Sequence, residues 1–357
     1  TEGPTPYVGT AKLEHPVFEQ DGTVIQPPRC ETYRKGTSFW SVADEQGVRC
    51  KILNVPFAFP ADKLRNGIMV CGLGVPDLRG TTSTFFILCD SFTPEQLAQR
   101  LSGGLSLPIH FDGNDVTEVE VPGPRDTRYP FDDPRGFAKQ VLKIQVDRVA
   151  HKGLAEAGGR KVDLEQRRWS DWLEWEFRMT SRFTAHSITR FYPLEIDEQV
   201  RIYMSCHQFH PSHPYASFTH PQDYSKTLQG RYGLFKTIGW TYDTHALRHG
   251  ALDEEGFLKD VRHTMAWHER LTLDELDRGE FDLLISGWTA TDRVGHMFWR
   301  YRDPHHPLYD PEKAQAYGHA LEETYRIMDA IVGKIVEKLR EGDLFCVFSD
   351  HGFESWR

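Results

Sequence analysis

Two hydrophobic periods divide this chain. Between about Thr82 and Cys206, the segments TSTFFIL, VTEVEV, QVLKIQV, WLEWEF, SITRFY and VRIYMS alternate or run apolar over strand lengths, with turn-forming residues between them. This texture predicts a mainly antiparallel, β-rich region, with helix expected only near residues 93–101. On either side, helix and strand alternate. Thr37 or Ser38 is placed to cap a short helix running through Gln46, Gly47 suits the position after it, and VRCKILNV follows as a strand. Further on, a helical pattern covers residues 254 to about 270, and FDLLIS (281–286) reads as a buried strand. Asp310 then caps a long helix with Pro311 at its first position and an apolar stripe of Tyr317, Leu321, Met328, Ile331, Ile335 and Leu339. Gly342 ends it, and LFCVF (344–348) reads as a second buried strand. Strand, helix and strand in that order imply parallel pairing through a right-handed crossover. The first forty residues show no period and read as loop.

These periods imply an α/β fold with an inserted β-rich cap subdomain. They divide the chain into a first core part at 1–81, the cap at 82–206 and a second core part at 207–357. Trp169, Trp172 and Trp175 fall in the cap and read as a packed aromatic face. Gly72 and Gly74 give G-x-G without a third glycine or a following helix pattern, so they read as turn residues rather than a nucleotide loop. His207, His210, His213 and His220 lie in a proline-broken stretch and read as solvated loop rather than a ligand set.

Charge and cysteine usage narrow the partners. A formal net charge of -10 argues against a nucleic-acid backbone. It leaves room for a small phosphorylated substrate, because a bound metal reverses the local charge. The six cysteines form no C-x-x-C pair, which argues against a thiolate zinc site and suits a reducing, cytoplasmic compartment. No apolar stretch reaches the ~18 residues that span a bilayer.

The chemistry concentrates at FCVFSDHGF (345–353), where an apolar run leads straight into Asp350 and His351. A buried carboxylate beside an imidazole is costly without partners, and a divalent ion satisfies both. Ligands of open α/β sheets bind beyond the carboxyl ends of the strands. The strand at 281–286 opens on the same edge and leads into GWTATDRVGHMFWRYRDPHHP. There Asp292 and His296, four residues apart, share one face of a helical turn. Two Asp–His pairs at one edge suit two neighbouring divalent ions, zinc first and manganese second.

TDRVGH followed by SDHGF resembles the alkaline phosphatase superfamily, which includes type I phosphodiesterase/nucleotide pyrophosphatases, cofactor-independent phosphoglycerate mutases and sulfatases. The likeness extends over GTSFWSVADEQGVRCKILNVPFAFP, GLGVPDLRGT and TDRVGHMFWRYRDPHHPLYD, and is nearest to bacterial predicted phosphohydrolases or phosphomutases. It implies a mostly parallel sheet with helices on both faces. It also implies one metal on Asp292 and His296, a second on Asp350 and His351, and a phosphate ester between them. The implied activity is metal-dependent phosphohydrolase or phosphodiesterase chemistry, by in-line displacement with a Ser or Thr nucleophile. The alternatives are a phosphomutase and a catalytically inactive metal-binding module.

The superfamily pattern places an Asp at its first strand end and the nucleophile before the region where this chain begins. Asp21, in the turn-like EQDGTV, is no substitute. A further His ligand is expected after the second pair. The expectation is therefore a chain lacking both flanks, with its nucleophile outside it and its catalytic residues unassigned. Arg79, Arg293, Arg300 and Arg302 are candidate clamps for a phosphoryl oxygen. Asp303, His305 and His306 are loop residues near the site.

Overall fold

The computed structural model describes residues 11–98 and 101–355. Its organising sheet has four strands. Helix α1 (Phe39–Glu45) precedes strand β1 (Cys50–Val55), which is followed by β2 (Ile68–Cys71) and, after a long excursion, β3 (Thr219–His220). Helix α2 (Glu254–Arg278), strand β4 (Leu283–Ser286), helix α3 (Ala290–Arg302) and helix α4 (Ala320–Val336) complete this part. The strand order is β3-β2-β1-β4. β1 is parallel to both β2 and β4, whereas β3 joins β2 antiparallel.

Alternation along β1 explains why helices cover both faces. Cys50 and Ile52 pack with Trp40 and Ala43 of α1, and with Leu283 and Ile285 of β4. Leu53 belongs to the opposite core, which includes Leu271 of α2. Lys51 also turns to α2, where its ammonium meets the Glu275 carboxylate at 2.7 Å. The predicted helix from residue 254 is confirmed and runs two turns further, from an Asp253 cap to Gly279.

The fold class is mixed α/β. The parallel part of this sheet is confined to β2, β1 and β4, and the strands at 85–204 lie in other sheets. One sheet orders Arg160–Glu165, Lys152–Ala157, Phe137–Asp147 and Val116–Arg125, all antiparallel. A second orders Leu173–Arg178, Thr184–Thr189 and Gln208–Phe209. A third orders Phe191–Ile196, Val200–Met204, Phe85–Cys89 and Gly104–Pro108, the last two being parallel. One continuous core joins Leu53 and Val70 of the first sheet to Val121, Leu142, Trp175 and Phe177. The tryptophans do not form one face. Trp175 lies in that core, while Trp169 packs with Tyr192 and Tyr203 in the core beneath α2 and α3.

Three expectations are corrected. The first forty residues are not all loop: Ala11–Glu14 pairs antiparallel with Arg29–Thr32, and Val17–Phe18 with Val24–Gln26, while residues 1–10 lie outside the described part. These strands are too short and polar to show a period. The long helix after Asp310 is two helices, Pro311–Tyr317 and α4. The Asp310 carboxylate caps the first by accepting from the backbone N–H groups of Glu312 and Lys313.

The third correction is the largest: LFCVF is not a buried strand. Leu344, Val347 and Phe348 are 95%, 66% and 84% exposed, and the segment pairs with no strand among the described residues. Hydropathy signals a wish for burial, but a strand also needs a neighbour to take its hydrogen bonds. β4 pairs with β1 alone among the described strands, and its four residues are only half-buried.

A buried acid at the junction between the third sheet and the helices sets a pH dependence. Asp243 accepts from the Tyr203 hydroxyl and the Ala246 backbone N–H, both at 2.8 Å. Burial pushes its carboxyl from 3.8 up to about 6. The folded state thus holds this proton more tightly than the unfolded one. The group's contribution is most favourable below pH 4, declines as pH rises from about 4 to about 6, and then levels off. Half-buried His15 and buried His207 and His268, depressed to about 4, 3 and 3, act oppositely at low pH, so the test is a difference. Asp243→Asn should gain about 3 kcal/mol relative to wild type between pH 4 and pH 7 in urea titrations. Parallel stability curves would show that Asp243 is not the titrating group.

Candidate functional site

The parallel direction of β1, β2 and β4 puts their carboxyl ends at one edge. β4 ends at Ser286, and α3 starts four residues later with Asp292 in its first turn and His296 one turn on. Asp292 Oδ1 lies 3.4 Å from His296 Nε2. The same oxygen lies 3.5 Å from His351 Nε2. Asp350 Oδ2 is 3.8 Å from that nitrogen, and its Oδ1 accepts from the His351 backbone N–H at 3.2 Å. The second pair therefore reaches the first from an irregular segment rather than from a strand end. The Asp292 carboxylate bridges the two histidines, and Asp350 is 89% exposed at the margin.

The tautomer of His351 follows from its neighbours. Nδ1 lies 3.0 Å from the Gly352 carbonyl, which only accepts, so Nδ1–H donates and Nε2 keeps its lone pair. That is the arrangement of a metal-ligating histidine, whose second nitrogen is fixed by a backbone oxygen. An Nε2 lone pair facing a carboxylate calls for a proton or a cation between them. The Gly352 carbonyl, followed by the charges of Asp350 and Asp292, holds the His351 value above 6.5. Both Asp292–histidine spacings match the ~3.4 Å edge of a tetrahedron with ~2.1 Å bonds. Among the described residues, however, no three His, Cys, Asp or Glu side chains already form a group that could hold an ion. The donors fit a divalent ion in type and pairwise spacing; the shell is not closed.

Sequence reading missed what brings the pairs together. Phe353 sets its ring edge-on to His296 at 5.0 Å and tilted to His351 at 5.6 Å, and stacks on Trp299 at 6.2 Å. Trp299 Nε1–H donates to Ser355 Oγ, which donates to Asp303. Asp303 thus anchors the 349–355 segment. A glycine at 295 makes room, since a Cβ there would meet the Phe353 ring at 2.9 Å. The aromatic residue after SDHG and the glycine in TDRVGH were the available signals. Gly295→Ala should leave stability unchanged or raise it by up to about 1 kcal/mol through helix propensity. It should also weaken zinc binding about tenfold by displacing Phe353. Calorimetric zinc titration beside thermal melting separates the two effects, and unchanged zinc affinity would show that the ring does not position the site.

The other candidates disperse. Arg79 is corrected from clamp to packing residue: its guanidinium donates to the Pro122 and Gly123 carbonyls and lies 4.1 Å over the Phe137 ring. Arg293 stays at the site, with Nε 3.5 Å from Asp292 Oδ2 and its guanidinium 3.9 Å over Trp240. Arg300 pairs with Glu254, and Arg302 is exposed. The His306 ring accepts from the Leu308 N–H, and the His305 N–H donates to Asp303.

His207 is not solvated loop. It is fully buried, pairs with Ser187 and is walled edge-on by Trp175 and Phe177. His220 donates to the Leu64 carbonyl. His186, His210 and His213 do gather, with ring centres 4.8 to 6.3 Å apart. His210 is unsuited to a metal, because its Nδ1 accepts from the Ser212 N–H and its Nε2–H donates to Glu174. A cavity of about 640 Å³ lies between Arg167, Arg201, Arg248 and Lys313, and none of the four predicted ligands lines it.

Two Asp–His pairs thus converge beyond the carboxyl edge of an α/β sheet. Residues 162–357 match the family model described as type I phosphodiesterase / nucleotide pyrophosphatase, a span that includes both pairs. This chain belongs to the type I phosphodiesterase / nucleotide pyrophosphatase family. Comparisons with curated proteins and with solved structures return no match.

Proposed function

We propose that the protein is a metal-dependent phosphohydrolase or phosphodiesterase, with Asp292, His296, Asp350 and His351 as ligands for two divalent ions, zinc or manganese, in an alkaline phosphatase-like fold. The observation that carries this reading is the single oxygen, Asp292 Oδ1, within 3.5 Å of a histidine nitrogen from each pair. When bound, such ions lower the pKa of an attacking hydroxyl and polarise the leaving oxygen of an in-line displacement. The chain's own residues orient the site. Asp292 bridges the histidines, Arg293 leans on its second oxygen, and the Gly352 carbonyl sets the His351 tautomer. The attacking group is a Ser or Thr hydroxyl, and the substrate is a small phosphorylated molecule. Six unpaired cysteines are in keeping with a reducing, cytoplasmic setting. Among the described residues no helix is long and apolar enough to cross a membrane.

The test is zinc titration of the dialysed chain across pH. Proton and metal compete for the same nitrogen, and the His351 value lies above 6.5. Zinc binding should therefore be strongest at pH 8 and fall steadily toward pH 6. Absence of zinc and manganese binding at pH 8 would overturn the proposal.

A further inference from the structure

Beside the Asp–His pairs, the carboxyl edge of the sheet holds a second polar feature. The register of β1 with β2 shifts between Leu53 and Val55, and Asn54, the residue left over, takes a left-handed φ of 55°. Two glycines let the neighbouring strand ends crowd against it: a Cβ at Gly72 would meet the Asn54 carbonyl oxygen at 2.2 Å, and one at Gly287 would meet it at 2.5 Å. Asn54 is only 9% exposed, and its side-chain Nδ2 has no hydrogen-bond partner. Such a buried donor is costly unless an acceptor meets it.

A narrow pocket of about 20 Å³, room for one oxygen-sized atom, is lined by Asn54, Lys236, Trp267, Gly287 and Thr289 among others. Trp267 Nε1–H is a second buried donor without a partner. The Lys236 ammonium also lines the wall, paired with the Asp260 carboxylate and donating to the Thr241 carbonyl. Thr289 occupies the N-cap position of α3 but makes no side-chain capping bond, which leaves first-turn N–H groups of a 13-residue helix facing this edge. Asp292 follows in that same turn. The unpaired groups are donors, the Lys236 charge is matched by Asp260, and the space admits one acceptor.

We infer that this pocket receives one non-bridging oxygen of a tetrahedral oxyanion, namely the phosphoryl group of the substrate class proposed above, on which reading this assignment rests. Asn54 Nδ2 and Trp267 Nε1 are the donors that hold it, and the start of α3 faces the rest of the anion. Asn54 is thereby a substrate-positioning residue that acts without touching either metal pair.

Inorganic phosphate is the probe. In the full chain labelled with ¹⁵N, phosphate added at constant ionic strength without zinc should shift the Trp267 indole and Asn54 side-chain amide resonances saturably. Asn54→Asp keeps the shape but replaces the donor by a repelling carboxylate, and should weaken phosphate binding at least tenfold with zinc affinity unchanged. Trp267→Phe should weaken it several-fold, and it decides the matter if Asn54→Asp does not fold. Resonances that stay fixed, as expected if the pocket takes only a structural water, would overturn the inference; so would wild-type phosphate affinity in both variants. Phosphate shifts in a chain that binds no zinc would sink the metal reading and leave the oxyanion pocket standing. Zinc binding with fixed resonances would do the reverse.

Discussion

Asp292→Ala should abolish firm zinc binding and nearly all phosphodiester hydrolysis while leaving the fold intact. Its carboxylate lies within 3.5 Å of a histidine nitrogen of each pair, so its loss separates two ligand sets at once. Loss of a supporting group around a metal costs ~10–100-fold in affinity or activity; a bridging ligand should exceed the upper figure. Asp292 is partly exposed, beside Arg293. Urea unfolding should therefore match wild type to within ~0.5 kcal/mol. Asp292→Asn keeps the shape, loses the charge and should fall between the two. Asp350→Ala should cost one ion and most turnover, although Asp350 is exposed, because it sits beside His351. The readouts are zinc content after dialysis and turnover of bis(4-nitrophenyl) phosphate. Full metal content in both alanine variants would remove these residues from the ligand set.

Glu275→Ala should be the most destabilising of the changes considered, at ~3–5 kcal/mol. The Glu275 carboxylate is almost fully buried between α2 and the sheet. It accepts from Lys51 Nζ, the Tyr224 hydroxyl and Arg231, each at 2.7 Å. Burial pushes its value up, but bonds from Lys51, Tyr224 and Arg231 outweigh that and hold it below 4.5. Its stabilisation is accordingly present above the unfolded value and lost as pH falls through the lower folded one. Alanine strands the Lys51 ammonium inside the protein, with only the Glu275 backbone carbonyl left as its acceptor. Glu275→Gln should cost less, because an amide still accepts from Tyr224. Pairing Glu275→Leu with Lys51→Met should recover part of the loss, because apolar replacement of both partners removes the stranded charge. Urea titration at pH 7 gives these differences, and a cost below ~1 kcal/mol for Glu275→Ala would show that the pair does not tie α2 to the sheet.

Local pattern was enough for the elements that frame the site. The strand over 50–55, the helix from 254, the strand before TDRVGH and the Asp310 cap all depend on neighbours within a few residues, and all were legible. So was the pairing of residue types, because Asp292 and His296 share a helix face by spacing alone. The parallel sense of β1 and β4 was not legible from LFCVF, which supplied the wrong argument for the right edge. β4 is parallel to β1, 233 residues earlier, and not to the segment after α4.

The sequence by itself determined the strand over 50–55, the helix from 254 and the spacing of Asp292 and His296, because these follow from short-range periodicity and side-chain chemistry. Tertiary structure alone decided which of those side chains meet. It turned Lys51 to a buried carboxylate, Arg79 to backbone carbonyls, and His207 into an aromatic wall. It left LFCVF in solvent and carried His351 to Asp292 by packing Phe353 on Gly295 and Trp299. Burial and polar satisfaction are settled by partners distant along the chain, and no local pattern names those partners.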